Sequence, residues 1–133
     1  MTTELPRRLD VFLYGLFMDE DLLRAKGLQP LHARRGRVHG MAVRVGKRAA
    51  LAVSSGCAAP GMVMQLTHAE IERLYSEPSV AMYKPEAVLV DLADGGKVAA
   101  LCFNLPASPA PTEQDAGYLE QLRALRRRLG LEE

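Results

Sequence analysis

The sequence is short of several features that usually announce a function. Only two cysteines occur in its 133 residues, Cys57 and Cys102, and neither belongs to a CxxC pair or a Cys/His cluster. A structural zinc site wants four ligands at short paired spacings, so no metal is expected. The histidines, His32, His39 and His68, are scattered without ligand spacing and read as ordinary surface or strand positions. Charge of one sign is also missing: 17 Lys and Arg stand against 16 Asp and Glu, a formal +1. That balance gives no global electrostatic reason to expect nucleic acid or an anionic membrane. No apolar run approaches the roughly 20 residues of a membrane span. The opening MTTELPRRLDVFLYG has neither the h-region nor the small-residue cleavage site of a signal peptide, so a cytoplasmic setting is expected.

What is present suffices for a core. Hydrophobic residues make up 48% of the chain, and its length suits one domain over 1–133, without internal repeats or a long linker. Val11–Tyr14 (VFLY) reads as a short buried strand stopped by Gly15. Asp19, Glu20 and Asp21 then favour a helix start, and Gly27 a stop. Strands are expected over Arg37–Val45 and Ala49–Val53, joined through Gly46-Lys47-Arg48, and again over Gly61–Leu66, with SSGCAAPG as a loop between.

Thr67-His68-Ala69-Glu70 has the form of a capping box, predicting a helix to about Leu74 or Tyr75 that Pro78 and Ser79 end. Tyr83–Leu92 alternates, with Val88, Val90 and Leu92 on one face. Asp94-Gly95-Gly96 turns the chain into Val98–Leu105. The proline-rich PASPAPT should lie flat on the surface. Thr112 or Asp115 opens a last helix, with Tyr118, Leu122, Leu125 and Leu129 on one stripe and Gly130 at its end. Six strands and three helices, joined mostly by hairpins, predict an α+β fold: a mainly antiparallel sheet or small barrel covered by helices.

Two places invite chemistry. The turn Tyr14-Gly15-Leu16-Phe17-Met18 leaves consecutive backbone N–H groups where a strand passes to a helix, a setting for a carboxylate or a developing oxyanion. Such junctions also serve as plain punctuation. Glu77 follows an amphipathic helix at the wrong end for the dipole and lies among apolar residues. A partly buried carboxylate there could act as general base and then acid, whereas an exposed one would be an ordinary loop acid. Glu86 is the rival acid, expected to be solvated at the start of a strand. Tyr83 could bring a phenol to the same pocket or sit half-buried in the core. Cys102 reads as a buried thiol, and Cys57 as a loop cysteine without a neighbouring base. Met18, Met41, Met62, Met64 and Met82 read as core filler. The basic runs at Arg34-Arg35-Gly36-Arg37 and Arg126-Arg127-Arg128 are short and lack interleaved aromatics, so nucleic acid is not expected as a partner.

Taken together, these segments carry a family likeness. VFLYGLFMDEDLL resembles the strand-turn-helix signature of the gamma-glutamylcyclotransferase-like (avirulence-induced-gene-like) family. LYSEPSVAMYKPEAVLVDL looks like its second signature, an acid after a short helix followed by a strand-opening tyrosine. GYLEQLRALRRRLGL is similar to its terminal helix. The chain departs from the pattern in two places: Leu16 stands where a small hydroxyl residue often follows the glycine, and Pro78 follows the acid where glycine is more usual.

The resemblance implies a small β-barrel-like sheet with peripheral helices and a pocket between the glycine turn and the acid. It implies an enzyme that needs no cofactor and cyclises a small gamma-glutamyl amine or peptide to 5-oxoproline, releasing the amine. By that likeness Glu77 is the catalytic acid/base. Gly15, Leu16 and Phe17 bind substrate through backbone amides, with Tyr14 at the entry and Tyr83 beside the pocket. The departures at Leu16, Phe17 and Pro78 keep a second reading open, a module binding a small carboxylate without turnover. A salt-sensitive nucleic-acid binder using Arg34 and Arg35 is the third. Homo-oligomer formation is left open.

Overall fold

The computed structural model describes residues 7–106, 109 and 115–131. Among them five strands, β1 (Arg8–Leu13), β2 (Leu31–Val45), β3 (Ala49–Thr67), β4 (Lys84–Leu92) and β5 (Lys97–Asn104), close into a barrel in the order β1-β3-β2-β4-β5. Neighbours pair antiparallel, except that β1 and β5 meet in parallel at Val11↔Leu101 and Phe12↔Cys102. The helices are α1 (Glu20–Ala25), α2 (His68–Leu74) and α3 (Ala116–Leu129), and a 3-10 turn spans Leu16–Met18. The expected α+β barrel with peripheral helices is the observed fold.

The run VFLY is continuously apolar because β1 is covered on both faces. Val11 and Leu13 pack with Leu23, Met64 and Leu122 beneath the helices. Phe12 and Tyr14, pointing the other way as strand alternation requires, pack with Val38, Leu51, Val63 and Val90. Phe12 presses so close to β3 that a Cβ at Gly61 would lie 2.6 Å from its ring and 2.5 Å from the Leu13 carbonyl. Glycine is thus dictated at Gly61 by close approach.

Five strands are found where six were expected, because Ala49–Val53 and Gly61–Leu66 belong to one strand. β2 begins at Leu31 instead of Arg37, and this early part pairs with the second run: Arg34 faces Val63, Arg35 faces Met62 and Gly36 faces Gly61, while Arg37, Val38 and His39 face Pro60, Ala59 and Ala58 of the SSGCAAPG segment. The loop reading survives only as a bulge. Residues 54–57 fall between the pairs Met41↔Val53 and His39↔Ala58, with Gly56 at φ +82°. Cys57 is exposed there, its sulfur 3.2 Å from the Ser54 hydroxyl, while Cys102 is fully buried. Burial pushes the Cys102 thiol up to about 12, with Glu86 adding to the shift.

The helix ends follow the sequence closely. Asp19 caps α1 by accepting from the Asp21 N–H, and Gly27 leaves the helix at φ +89°. Asp115 caps α3, Leu122 and Leu125 are buried on its inner stripe, and Gly130 ends it in the left-handed region. Most of PASPAPT, and Thr112 with it, lies outside the described residues. Met18, Met62 and Met64 are core residues and Met41 is half-buried against the barrel core, but Met82 is exposed. It stands in the turn before β4, outside the barrel wall.

Polar groups lock the frame at two points. Asn104, buried at the end of β5, accepts from the Leu51 and Leu105 N–H groups at 2.8 and 2.9 Å and donates to the Leu51 carbonyl at 2.9 Å. It thereby fastens the start of β3 to the end of β5, two strands that share no ladder. Glu70 is the second point. The capping box is complete: the Glu70 N–H donates to the Thr67 hydroxyl and the Thr67 N–H to the Glu70 carboxylate. The same carboxylate accepts from the Gln29 N–H at 2.6 Å and pairs with Arg8 at 3.4 Å. One acid thus joins α2, the approach to β2 and the start of β1.

Burial works to raise the pKa of Glu70, but the Thr67 and Gln29 N–H groups, the Thr67 hydroxyl and the Arg8 guanidinium outweigh it and hold the carboxyl below its ordinary range. The stability this contributes is present above the unfolded-state pKa, about 4.3, and is lost as the pH falls through the lower folded-state value. Urea unfolding between about pH 5.5 and about pH 3 should show a steeper loss of stability for the native chain than for Glu70→Gln. Parallel curves for the two proteins would contradict this role.

Candidate active site

A cavity of about 460 Å³ opens where β1 passes into the 3-10 turn. All six residues singled out in the sequence line it: Tyr14, Gly15, Leu16, Phe17, Glu77 and Tyr83. Gly15 and Glu77, 62 positions apart, thus face one space, carried there by β1 and by the turn after α2. Glu86 is not on its wall; it is exposed on β4, 3.0 Å from the Asn104 amide nitrogen. Cys57 also lies elsewhere.

The glycine turn is shaped by what crosses it. A Cβ on Gly15 would stand 2.9 Å from the Tyr118 hydroxyl and 3.6 Å from the Ala49 methyl. The Met18 N–H bonds the Gly15 carbonyl at 3.1 Å, closing the 3-10 turn. Leu16 and Phe17, bulky for such a turn, are accommodated by packing partly against the core beneath the helices. Phe17 also meets Tyr75 edge-on at 5.9 Å, and Tyr75 stacks on Phe103 at 4.0 Å with Tyr83 tilted 6.2 Å away. One wall of the cavity is therefore aromatic.

Glu77 follows α2 in a turn closed by the Val80 N–H on its carbonyl at 3.0 Å. Its side chain is 36% exposed and its Oε1 accepts from Lys26 Nζ at 2.7 Å. Lys26 caps the end of α1 and also lies 5.9 Å over the Phe17 ring. The second carboxylate oxygen, Oε2, has no bonded partner among the described residues. Lys47 and Arg48, from the β2–β3 turn, complete the charged lining. The Arg48 guanidinium donates through Nε to the Ser79 carbonyl, tying that turn to the segment that carries Glu77.

The tyrosines differ in what they offer a ligand. Tyr14 points into the barrel and donates to the Phe103 carbonyl at 2.9 Å. Tyr83 donates to the Ala49 carbonyl. Both protons are thus engaged with backbone, and toward the cavity Tyr83 presents an acceptor. Tyr118 is different: its oxygen accepts from the Leu16 N–H, and its own proton has no acceptor among the described residues. Burial pushes all four phenols, Tyr14, Tyr75, Tyr83 and Tyr118, above their ordinary range; Arg48 opposes the shift at Tyr83, and the Leu16 N–H and Arg126 oppose it at Tyr118. They act as neutral hydroxyls. The arrangement therefore offers one carboxylate, a turn amide capped by a phenol with a free proton, and cations, around an apolar space.

Sequence reasoning missed Lys26, Lys47, Arg48, Tyr75 and Tyr118 as lining residues. Tyr118 was legible as a stripe position of α3 and Tyr75 as a helix end, but neither pattern says which residue rims a cavity. The basic run near β2 is engaged internally: Arg34 pairs with Asp10 at 2.7 Å, and Arg35 and Arg37 donate to the Gly130 and Leu131 carbonyls. Among the described residues no three His, Cys, Asp or Glu side chains are grouped as a metal site requires, and no helix is long and apolar enough to cross a membrane.

Comparison with known proteins adds the following. A family model described as gamma-glutamyl cyclotransferase, AIG2-like, matches residues 11–121. No curated protein sequence matches the chain. Among solved structures, a gamma-glutamyl cyclotransferase is 14% identical with a TM-score of 0.77, over 94% of this chain and 82% of its own. A protein of Arabidopsis thaliana is 19% identical with a TM-score of 0.70, over 97% of this chain and 89% of its own. A human protein is 15% identical with a TM-score of 0.75, over 93% and 81%. At these identities the structural likeness concerns the fold.

The tight contact at Gly15 is directly testable. Gly15→Val must displace the Tyr118 hydroxyl and should lower stability to urea by about 1–3 kcal/mol, as overpacking does. Unchanged stability would show that the Tyr118 phenol is not seated on the turn.

Proposed function

The chain belongs to the gamma-glutamyl cyclotransferase, AIG2-like family, and from that premise we propose that it cyclises a gamma-glutamyl amine or peptide to 5-oxoproline and releases the amine. The observation that carries this reading is the shared cavity of Glu77 and the Gly15 turn. The substrate would be a small soluble molecule, the setting cytoplasmic, and the acting unit a single domain over residues 1–133. Acid/base and hydrogen-bonding groups are all that the chemistry asks for, so the reading includes no cofactor. The internal engagement of Arg34, Arg35 and Arg37 argues against nucleic acid as the partner.

Glu77 would act through Oε2 while Lys26 anchors Oε1. The carboxylate takes one proton from the substrate's α-ammonium, freeing the lone pair with which that nitrogen bonds to its own γ-carbonyl carbon, and the second proton that the nitrogen sheds on bonding passes to the leaving nitrogen. The bond from that carbon to the leaving nitrogen then breaks, and Glu77 returns the proton to the departing amine. The attack is intramolecular, so holding the folded conformer supplies much of the acceleration; well-oriented internal reactions reach effective concentrations of about 10⁵–10⁸ M. Charge growing on the carbonyl oxygen needs a donor, and the Tyr118 hydroxyl, seated on the turn by the Leu16 N–H, fits that need with its proton. Tyr83, presenting an acceptor, suits the α-amino group. The aromatic wall excludes water that would compete with the internal nucleophile.

A binding module without turnover would use the same cavity, and the cationic lining favours a carboxylate in either case. Turnover separates the two. Glu77→Gln should reduce 5-oxoproline release by about 10²–10⁴-fold, the usual contribution of a general acid/base, while 5-oxoproline still raises the variant's melting temperature. Release unchanged in Glu77→Gln would overturn the assignment of Glu77, and a folded native protein releasing none from any gamma-glutamyl compound would favour the binding module.

A further inference from the structure

The charges around the cavity do not cancel. Its lining carries three cations, Lys26, Lys47 and Arg48, and one carboxylate, Glu77. Lys26 and Glu77 neutralise each other at 2.7 Å. Lys47 and Arg48 form no ion pair among the described residues, so two positive charges remain on one side of the opening. Lys47 is exposed at the tip of the β2–β3 turn, and Arg48 is half-buried behind it. The Arg48 guanidinium spends Nε on the Ser79 carbonyl, which fixes its plane and leaves the terminal nitrogens to meet a planar anion through two parallel bonds.

A gamma-glutamyl group alone does not account for this excess. Its α-ammonium and α-carboxylate cancel, so a gamma-glutamyl amine with an uncharged substituent enters as a neutral zwitterion. A gamma-glutamyl amino acid carries one further carboxylate, on the leaving group. We propose that Lys47 and Arg48 form a subsite for that carboxylate, making the preferred substrate a gamma-glutamyl amino acid or peptide over a gamma-glutamyl amine. The inference rests on the cyclotransferase reading and adds what departs from the carbonyl carbon. The subsite acts on the part of the substrate that leaves, and its hold is electrostatic and open to water, so salt weakens it.

Gamma-glutamyl-alanine and gamma-glutamyl-ethylamide differ only by the leaving group's carboxylate, and both keep the α-carboxylate. Their kcat/KM values for 5-oxoproline release, and their Kd values by calorimetry, are compared in the native chain, in Lys47→Gln and in Lys47→Gln/Arg48→Gln. The alanine conjugate should be favoured by about tenfold, the size of one charge-assisted contact. That ratio should shrink in Lys47→Gln, whose exposed turn position puts the fold at no risk, and approach one in the double variant and in high salt. Equal use of the two conjugates by the native chain, or a preference that survives both substitutions, overturns the subsite and leaves the cyclotransferase reading standing. If neither conjugate yields 5-oxoproline, that reading fails and the Kd ratio decides: tenfold tighter binding of the alanine conjugate that the substitutions erase supports the subsite, and equal or absent binding overturns it.

Discussion

The Asn104 side-chain amide bonds both the N–H and the carbonyl of Leu51, and the Leu105 N–H reaches its oxygen, with the Tyr14 hydroxyl 3.3 Å away and donating to the neighbouring Phe103 carbonyl. Leu51 is near the start of β3 and Asn104 is at the end of β5, so the contact spans strands that no ladder joins. It also holds down the end of β1, because Tyr14 is the last residue before Gly15. An amide buried this deeply is destabilising unless its bonds are made, at about 1–3 kcal/mol for each group left unpaired. With its bonds complete, it works as a fixed clamp. The cavity depends on it: the glycine turn leaves from Tyr14, and the β2–β3 turn with Lys47 and Arg48 leaves from Ala49, two residues before Leu51.

From that clamp the polarity of the site follows. Ala49 offers its carbonyl to Tyr83, which turns that phenol into an acceptor on the cavity side. The Leu16 amide bonds the Tyr118 oxygen, which turns that phenol into a donor. The Lys26–Glu77 pair joins α1 to the turn after α2 and fixes one carboxylate oxygen while the other stays open. Each functional group is oriented by a bond to backbone or to an opposite charge. Such prior orientation is what an intramolecular cyclisation, limited by conformer and not by encounter, draws on.

Much of this frame could be read from the chain. VFLY followed by glycine, the Thr67/Glu70 capping box, and the Asp115 and Gly130 ends of α3 are local signals, and each appears where local chemistry puts it. The strand count was not local. Whether Gly61–Leu66 continues the strand begun at Ala49 depends on β2 starting six residues early at Leu31, across polar residues that alternate poorly. The site divides in the same way. Glu77 and the Gly15 turn each stand out in the local sequence and the family likeness joins them in one pocket, but their meeting is a matter of barrel closure that no spacing reveals. Lys26 and Tyr118 stayed hidden because a helix end and a hydrophobic stripe look the same whether they bound a core or a cavity. The bulk of Leu16 and Phe17 looked like an obstacle in sequence, and partial packing against the core accommodates it.

The central claim is that the gamma-glutamyl group lies between the Gly15 turn and Glu77. Titration of the isotope-labelled protein with 5-oxoproline, followed through backbone amide resonances, tests it without requiring turnover. Saturable shifts are predicted at Gly15, Leu16 and Phe17 and at Glu77 and Tyr83, with the face of Arg34, Arg35 and Arg37 unmoved. Shifts centred on that basic face, or saturation with the glycine turn undisturbed, would contradict the account.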